Sequence, residues 1–245
     1  MFNYKMIIQY DGGRYKGWQK LGNGEDTIQG KLEKVLSELA GEETEVTGCS
    51  RTDAGVHALA QIASFKIGKE LPSAEVKDYF NRYLPGDISV ILVSPAPEDF
   101  HARYHAKSKT YLYKIWNREY PNPFMRRYSM HVDKKLVLKK MVEAGGFFLG
   151  EHDFTAFSNA KSKKKSMIRN IDSVDIKEEN GFIDIRITGD GFLHNMVRKI
   201  VGVMIEAGLG KIDAEAIPEI INSKERSQVG ILADACGLYL EKIEY

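Results

Sequence analysis

Apolar and polar positions follow two different periods along this chain, and they change over at recognisable turns. "YKMIIQYDG", Tyr4 to Gly12, is a β-prone run that ends on a turn signal. In "TIQGKLEKVLSELAG", Ile28, Leu32, Val35, Leu36 and Leu39 recur at helical spacing. Thr27 stands where an N-cap belongs and Gly41 where a helix stops. "TEVTGCS" and "VHALAQIASFKI" are strand patterns on either side of a polar turn. "SAEVKDYFNRYL" predicts an amphipathic helix with Val76, Tyr79, Phe80 and Tyr83 on one side, and "DISVILVSPAPE" a strand ending at prolines. Strand, helix, strand, strand, helix, strand suits an antiparallel sheet with helices on one face, the split βαβ arrangement.

The second half repeats the theme loosely. "KTYLYKIWN" alternates, with Tyr111, Tyr113 and Ile115 on one face and Leu112 and Trp116 opposing. "DKKLVLKKMVEAGGFFLG" is helical up to its glycines, and "RNIDSVDIKEENGFIDIRITGDGF" is a hairpin with its turn at "ENG". "FLHNMVRKIVGVMIEAG" is a helix with a broad apolar face, and "GLYLEKIEY" closes as a strand. The expected fold class is α+β, with two related halves, residues 1–104 and 105–245. Joined antiparallel sheets would leave a cleft between them.

Composition adds little until it is read locally. The 245 residues are 43% hydrophobic and 28% charged, which is ordinary for a globular protein. No apolar run reaches bilayer length, and the N-terminus enters a strand pattern at once, so a cytoplasmic location without membrane attachment is expected. Cys49 and Cys236 are far apart and outside any C-x-x-C pair, so neither a thiolate metal site nor a disulfide framework is expected. The net charge is +1, but residues 103–169 hold 16 Lys and Arg against 5 Asp and Glu. The remainder holds 19 positive against 29 negative. A basic block on an acidic remainder suits either a polyanion-binding face or a solvated lysine-rich surface.

The turn "SRTDAGVH" carries the strongest chemistry. A tight backbone at Asp53-Ala54-Gly55 would leave the carboxylate pointing out of a sheet edge. A nucleophilic carboxylate must stay ionised, and a nearby cation keeps it so. Arg51 shares a face with Asp53 if the chain is extended there, and Arg198 in "NMVRKIVG" is a longer-range candidate. Spacing alone favours a structural turn aspartate, since such residues often bond their own backbone, and it leaves the nucleophile open. An aspartic-protease dyad needs two such carboxylates, yet Asp11-Gly12 and Asp190-Gly191 lie in no matching triplet.

Other signals point away from cofactors. His101 and His105 in "HARYH" lack a third ligand and read as a surface or interface pair rather than zinc ligands. "GLGKI" lacks the phosphate-loop spacing, and no dinucleotide fingerprint occurs. A cofactor-free, metal-free enzyme is therefore the expectation. Tyr104, Tyr111, Tyr113 and Trp116 interleave with Arg103, Lys107, Lys109 and Lys114, a pattern that can stack a base and hold its phosphate. Core packing competes for at least one of these tyrosines.

At this point the chain resembles the tRNA pseudouridine synthase A family along nearly its whole length. "YDGGRYKGWQK" and "TIQGKLEKVL" are similar to that family's opening strand and helix, and "SRTDAGVHALAQIASF" to the segment around its catalytic aspartate. "FHARYHAKSKTYLYKI" resembles its uridine-contacting tyrosine strand, "FLHNMVRKIVGVMIEAGLGKI" its third motif and "GLYLEKIEY" its closing strand. The resemblance implies isomerisation of uridine to pseudouridine in RNA without cofactor or metal. It implies two ferredoxin-like, RRM-like halves around a basic cleft, and a homodimer. The implied target is an RNA loop, the tRNA anticodon stem-loop at about positions 38 to 40. By position, Asp53 would be the nucleophile, Arg51 would help displace the target nucleotide, Tyr111 would stack on the uracil and Arg198 would pair with Asp53. Two departures stand out: Ser50 where the family commonly has Gly, and "LADA", Leu232 to Ala235, where it often reads Thr-Ala-Pro-Ala. Neither is expected to touch the residues assigned. A diverged member acting on ribosomal RNA, a non-catalytic RNA-binding module that keeps the fold and an aspartate hydrolase are the alternatives. The module does not account for Asp53, Arg51, Tyr111 and Arg198 occurring together, and no second carboxylate is evident for the hydrolase.

The densest basic run is "NAKSKKKSMIRN", with Lys161, Lys163, Lys164 and Lys165. Such a run is either a solvated loop with no partner or a set of phosphate contacts, which would position an RNA without reading its bases. Replacing all four by Gln is expected to weaken tRNA binding by a similar factor for cognate and non-cognate stem-loops. Each lost contact flattens the slope of log affinity against log salt by roughly 0.7 to 0.9. A salt titration of both proteins on one tRNA checks this, and parallel lines would remove the assignment.

Overall fold

The computed structural model describes residues 1–22, 24, 26–159 and 166–245, so Lys161, Lys163, Lys164 and Lys165 lie outside the described residues. The chain is mixed α+β, with mostly antiparallel strands and, among the described residues, five α-helices. It divides into two compact units, Met1–Lys107 with Tyr239–Tyr245, and Ser108–Leu238. No helix among the described residues is long and apolar enough to cross a membrane.

In the first unit, β1 (Phe2–Tyr10) alternates as its sequence does, burying Tyr4, Met6, Ile8 and Tyr10. Helix α1 (Ile28–Ala40) begins where Thr27 Oγ1 accepts the Gly30 N–H at 3.2 Å and ends at Gly41, φ 79°. Its buried stripe is Ile28, Leu32, Val35 and Leu36. Strand β2 is shorter than its sequence predicts, only Thr47–Gly48. A Cβ on Gly48 would lie 2.4 Å from the Trp18 ring, so the chain there is spaced by a tryptophan. Strand β3 (His57–Ile67) pairs antiparallel with β1, Tyr4 opposite Phe65 and Tyr10 opposite Ala58. Helix α2 (Ser73–Tyr83) buries Val76 and Phe80 only. Tyr79 and Tyr83, expected on the same side, meet each other with centroids 4.5 Å apart, and Tyr83 is exposed. One i, i+4 pair takes the core and the other covers itself on the flank. Strand β4 (Ile88–Pro95) lies antiparallel on the other edge of β1.

In the second unit, β5 (Ser108–Trp116) pairs antiparallel with a later strand and parallel with the two-residue β6 (Met130–His131). Helix α3 (Leu138–Gly146) starts five residues later than its pattern suggests. The buried Asn117 amide holds the approach extended, donating to the carbonyls of Val132 and Lys134 and accepting the Leu136 N–H. Strands β7 (Gly150–Asp153), β8 (Ile168–Glu179) and β9 (Phe182–Gly189) complete the order β5-β9-β8-β7, antiparallel throughout. The β8–β9 hairpin turns at Asn180 and Gly181, φ 52° and 87°, the signature of its expected short turn. Helix α4 (Met196–Gly208) is buried on nearly all sides and packs on α3, where a Cβ on Gly208 would lie 2.8 Å from Met141. It begins later than the apolar run at Phe192, because Asn195 adopts a left-handed conformation, φ 63°. A short helix, α5 (Ile217–Ser223), follows, with Pro218 in its first turn.

The last strand, β10 (Leu238–Glu244), returns to the first unit, Tyr239 and Leu240 pairing parallel with His57 and Ala58. The division expected from the sequence, 1–104 and 105–245, puts these residues with the second half, whereas the strand belongs to the first unit. Backbone pairing beyond a long crossover is invisible to local periodicity.

Candidate active site

Asp53 sits on a turn that is held from both sides by main chain. Val56 N–H closes it onto the Asp53 carbonyl at 3.1 Å, and Gly55 takes φ 79°. Only a residue without Cβ adopts that conformation at little cost. On the side before the turn, the Trp18 N–H donates to the Thr52 carbonyl at 3.0 Å, and the buried Thr52 hydroxyl meets the Tyr10 hydroxyl at 2.8 Å. On the other side, the Gly55 N–H reaches the Tyr15 carbonyl. Asp53 is half-buried and Arg51 is exposed.

The loop that grips this turn is "DGGRYKGW", Asp11 to Trp18. A Cβ on Gly12 would lie 1.9 Å from the Val56 carbonyl oxygen, and one on Gly17 would lie 2.5 Å from that of Thr52. Gly17 also has φ 93°. The Gly12 N–H donates to Nδ1 of the buried His57 at 3.1 Å. Arg14 and the Tyr15 hydroxyl both bind Asp87, at 2.7 and 2.6 Å. Burial first, and the Asp87 hydrogen bond second, push the Tyr15 phenol up to about 12. The loop's far end is tied to α1, where the Gln29 N–H donates to the Trp18 carbonyl.

Arg51 is approached through a second brace. Gln61 on β3 is fully buried, and its amide both accepts the Ser50 N–H at 3.2 Å and donates to the Ser50 carbonyl at 2.6 Å. One side chain thereby continues the strand ladder where the backbone leaves it. Sequence reading missed Gly12, Gly17, Trp18 and Gln61. The two glycines carried a signal, since each falls in a polar loop four residues or less from an aromatic; Gln61 carried none.

The second unit holds the other assigned residues. Tyr111 on β5 is buried, with Phe192 meeting its ring edge-on at 5.2 Å. Tyr113 is fully buried as well, its hydroxyl donating to the Asp234 carbonyl at 2.8 Å, and burial raises its phenol well above the ordinary range. Arg198 on α4 is half-buried. Its Nε donates to the Ala233 carbonyl at 2.7 Å and its Nη1 to Asn195 Oδ1 at 3.1 Å. The departure "LADA" therefore does touch an assigned residue, contrary to expectation. The contact is through main chain, so the helix reads the path of that segment and not its side chains. The neighbouring Lys199 is buried, with Nζ donating to the Ala156 carbonyl at 3.0 Å, and burial lowers its pKa.

The two remaining Asp-Gly steps are structural. Asp11 Oδ1 accepts the Gly13 N–H at 2.9 Å and Asp190 Oδ1 the Asn170 N–H at 3.1 Å. His101 Nδ1 accepts the backbone N–H groups of Arg103 and Tyr104, which makes it a turn residue.

This is an α+β protein with a carboxylate turn braced by glycine-to-backbone contacts. A family model described as tRNA pseudouridine synthase matches residues 6–105 and 147–245. The "tRNA pseudouridine synthase A 2" of Bacillus cereus is 62% identical over 245 residues, covering 100% of both chains. The "tRNA pseudouridine synthase A" of Acetivibrio thermocellus is 44% identical, again over 100% of both. The chain belongs to the tRNA pseudouridine synthase family. Among solved structures, a chain of a Cbf5-Nop10-Gar1 complex matches with a TM-score of 0.34 and 10% identity, over 82% of this chain and 53% of that one, too loose a likeness to carry more.

The brace makes a checkable demand. Gly17→Ala adds a Cβ against the Thr52 carbonyl at a positive φ, and is expected to cost more than about 1 kcal/mol. Gly22→Ala, where a Cβ meets nothing within 4 Å, is the control and should stay within about 0.5 kcal/mol. Urea denaturation of the two variants and the parent protein compares them.

Proposed function

We propose that this protein isomerises uridine to pseudouridine in tRNA, with Asp53 as its nucleophile. The observation that carries this reading is full-length identity of 62% to a curated tRNA pseudouridine synthase, together with the braced Asp53 turn. In the reaction the N1–C1′ bond breaks, the base turns, C5 bonds to C1′, the C5 proton is lost and N1 takes up a proton, so nothing enters or leaves overall. A base stacked in a helix cannot turn in this way, so the target nucleotide must be flipped out. A carboxylate on a turn whose backbone is fixed on both sides is prepared for attack without reorganising.

In this reading Arg51 helps displace the nucleotide, Tyr111 stacks on the uracil and Arg198 pairs with Asp53. Nε and Nη1 of Arg198 are held by Ala233 and Asn195, which fixes the plane of the guanidinium, and the fork offers further N–H groups to a carboxylate. The anticodon stem-loop is the proposed target, bound in a basic cleft and shared across a homodimer. Lys161, Lys163, Lys164 and Lys165 would hold its phosphates. The β1–α1–β2–β3–α2–β4 order supports a ferredoxin-like first half.

Asp53→Asn is expected to abolish pseudouridine formation while fold and tRNA affinity persist, because deletion of a covalent nucleophile removes the chemical step. Mapping pseudouridines in RNA from cells with and without the protein tests the substrate. Loss confined to ribosomal RNA would overturn the tRNA assignment.

Arg198→Met is expected to lower activity and shift its acid limb. Removing an opposite charge raises the Asp53 pKa, so the ionised form appears only at higher pH. A pH–rate profile of both proteins decides it, and an unchanged limb would remove the ion pair.

A further inference from the structure

The loop between β5 and β6 belongs to neither stretch matched by the family model, residues 6–105 and 147–245. It puts aromatic rings into solvent: Phe124 is 88% exposed and Tyr120 73%. Single exposed apolar residues need no explanation. This loop, however, is a built one. Its near end is clamped where Trp116 Nε1–H donates to the Tyr120 carbonyl at 2.8 Å. Its far end is clamped where β6 pairs with β5 and the Val132 N–H reaches the Trp116 carbonyl.

Between the clamps run two consecutive turns. Asn122 opens the first, its Oδ1 accepting the N–H groups of Phe124 and Met125, and Met125 N–H closes onto the Asn122 carbonyl at 3.1 Å. Pro123 occupies the second position, where its fixed φ suits a turn. Tyr128 N–H closes the second turn onto the Met125 carbonyl at 2.8 Å, and the buried Ser129 hydroxyl donates to the same oxygen at 3.0 Å. Phe124 therefore takes a central position of the first turn. Arg126 and Arg127, both exposed, take the central positions of the second.

We propose that this loop docks an unpaired nucleotide of the RNA substrate, its base stacked on Phe124 and the adjoining phosphates held by Arg126 and Arg127. The proposal rests on the reading of the chain as a tRNA-modifying enzyme. An aromatic face accepts any base, and a guanidinium fork matches a phosphate. The turns fix the backbone that carries the ring beforehand, so little main-chain ordering cost falls on binding. Charge favours a polyanion as the occupant: residues 117–131 carry Arg118, Arg126 and Arg127 against Glu119 alone.

The test uses the full chain, one purified tRNA and Phe124→Trp as a reporter. Trp18 is buried and Trp116 partly so, which leaves the new indole as the solvent-facing signal. Its emission is expected to be quenched by tRNA and to saturate with binding. Phe124→Ala should weaken tRNA binding about ten-fold, with the rate at saturating tRNA unchanged. Arg126→Gln with Arg127→Gln should flatten the salt slope by about 0.7 to 0.9 for each arginine. Emission unmoved by saturating tRNA, or unaltered affinity in Phe124→Ala, overturns the proposal. A blue shift that follows protein concentration without RNA, with Phe124→Ala sedimenting as a smaller species, assigns the loop to a second copy of the chain and overturns it too. Pseudouridine formation by the parent protein is measured on the same tRNA. Quenching without any product would sink the enzymatic reading and leave the docking loop standing.

Discussion

Two glycines pressed against backbone oxygens hold the Asp53 turn of this protein in place. The antiparallel register of β1 and β3 sets Tyr10 opposite Ala58, so the loop leaving β1 and the loop entering β3 emerge at the same end of the pair. They meet main chain to main chain because Gly12 and Gly17 offer no Cβ. Asp53, Arg51 and their neighbours inherit their places from that contact. A slip of one residue in the β1–β3 register would turn Tyr10 away from Thr52 and unseat the turn.

The second unit solves the same problem with a buried helix. Helix α4 is apolar apart from Arg198, Lys199 and Glu206, and the two adjacent cations are each satisfied by a backbone carbonyl of a different segment. Asn195, in the left-handed region, starts the helix so that Arg198 falls within reach of its own Oδ1. Gly202 lets the segment around Ile231 cross the helix closely; a Cβ there would lie 1.9 Å from the Ile231 carbonyl oxygen. The path of residues 231–233 thus sets the arginine's orientation from outside the helix. That is why the composition of "LADA" matters less than its course.

Charge is distributed with the same division of labour. Residues 103–169 carry the positive excess, on a chain whose net charge is +1. Long-range attraction for a polyanion therefore comes from one block, while the acidic remainder discourages binding elsewhere. The residues proposed for chemistry, Asp53 and Arg198, are ones that main chain holds still.

Much of this was legible in the sequence because it depends on local forces. Helix α1 runs from its Thr27 cap to its Gly41 stop as the spacing of Ile28, Leu32 and Leu36 requires, and the "ENG" hairpin turns where two successive residues accept positive φ. Asp53, between a strand and a glycine, was visible as a turn, though spacing alone left a structural role open beside the nucleophile. The resemblance to a family, carried by separated motifs, was needed to favour chemistry there. What the sequence could not show depends on atoms far apart in the chain. The grip of Gly17 on Thr52, the Gln61 amide completing a ladder at Ser50, the Ala233 carbonyl on Arg198 and the return of β10 to β3 are all long-range contacts. Periodicity reports which face of an element is apolar, and it carries no information on which distant backbone will lie against that face. Only tertiary packing decides where a residue must have no side chain at all.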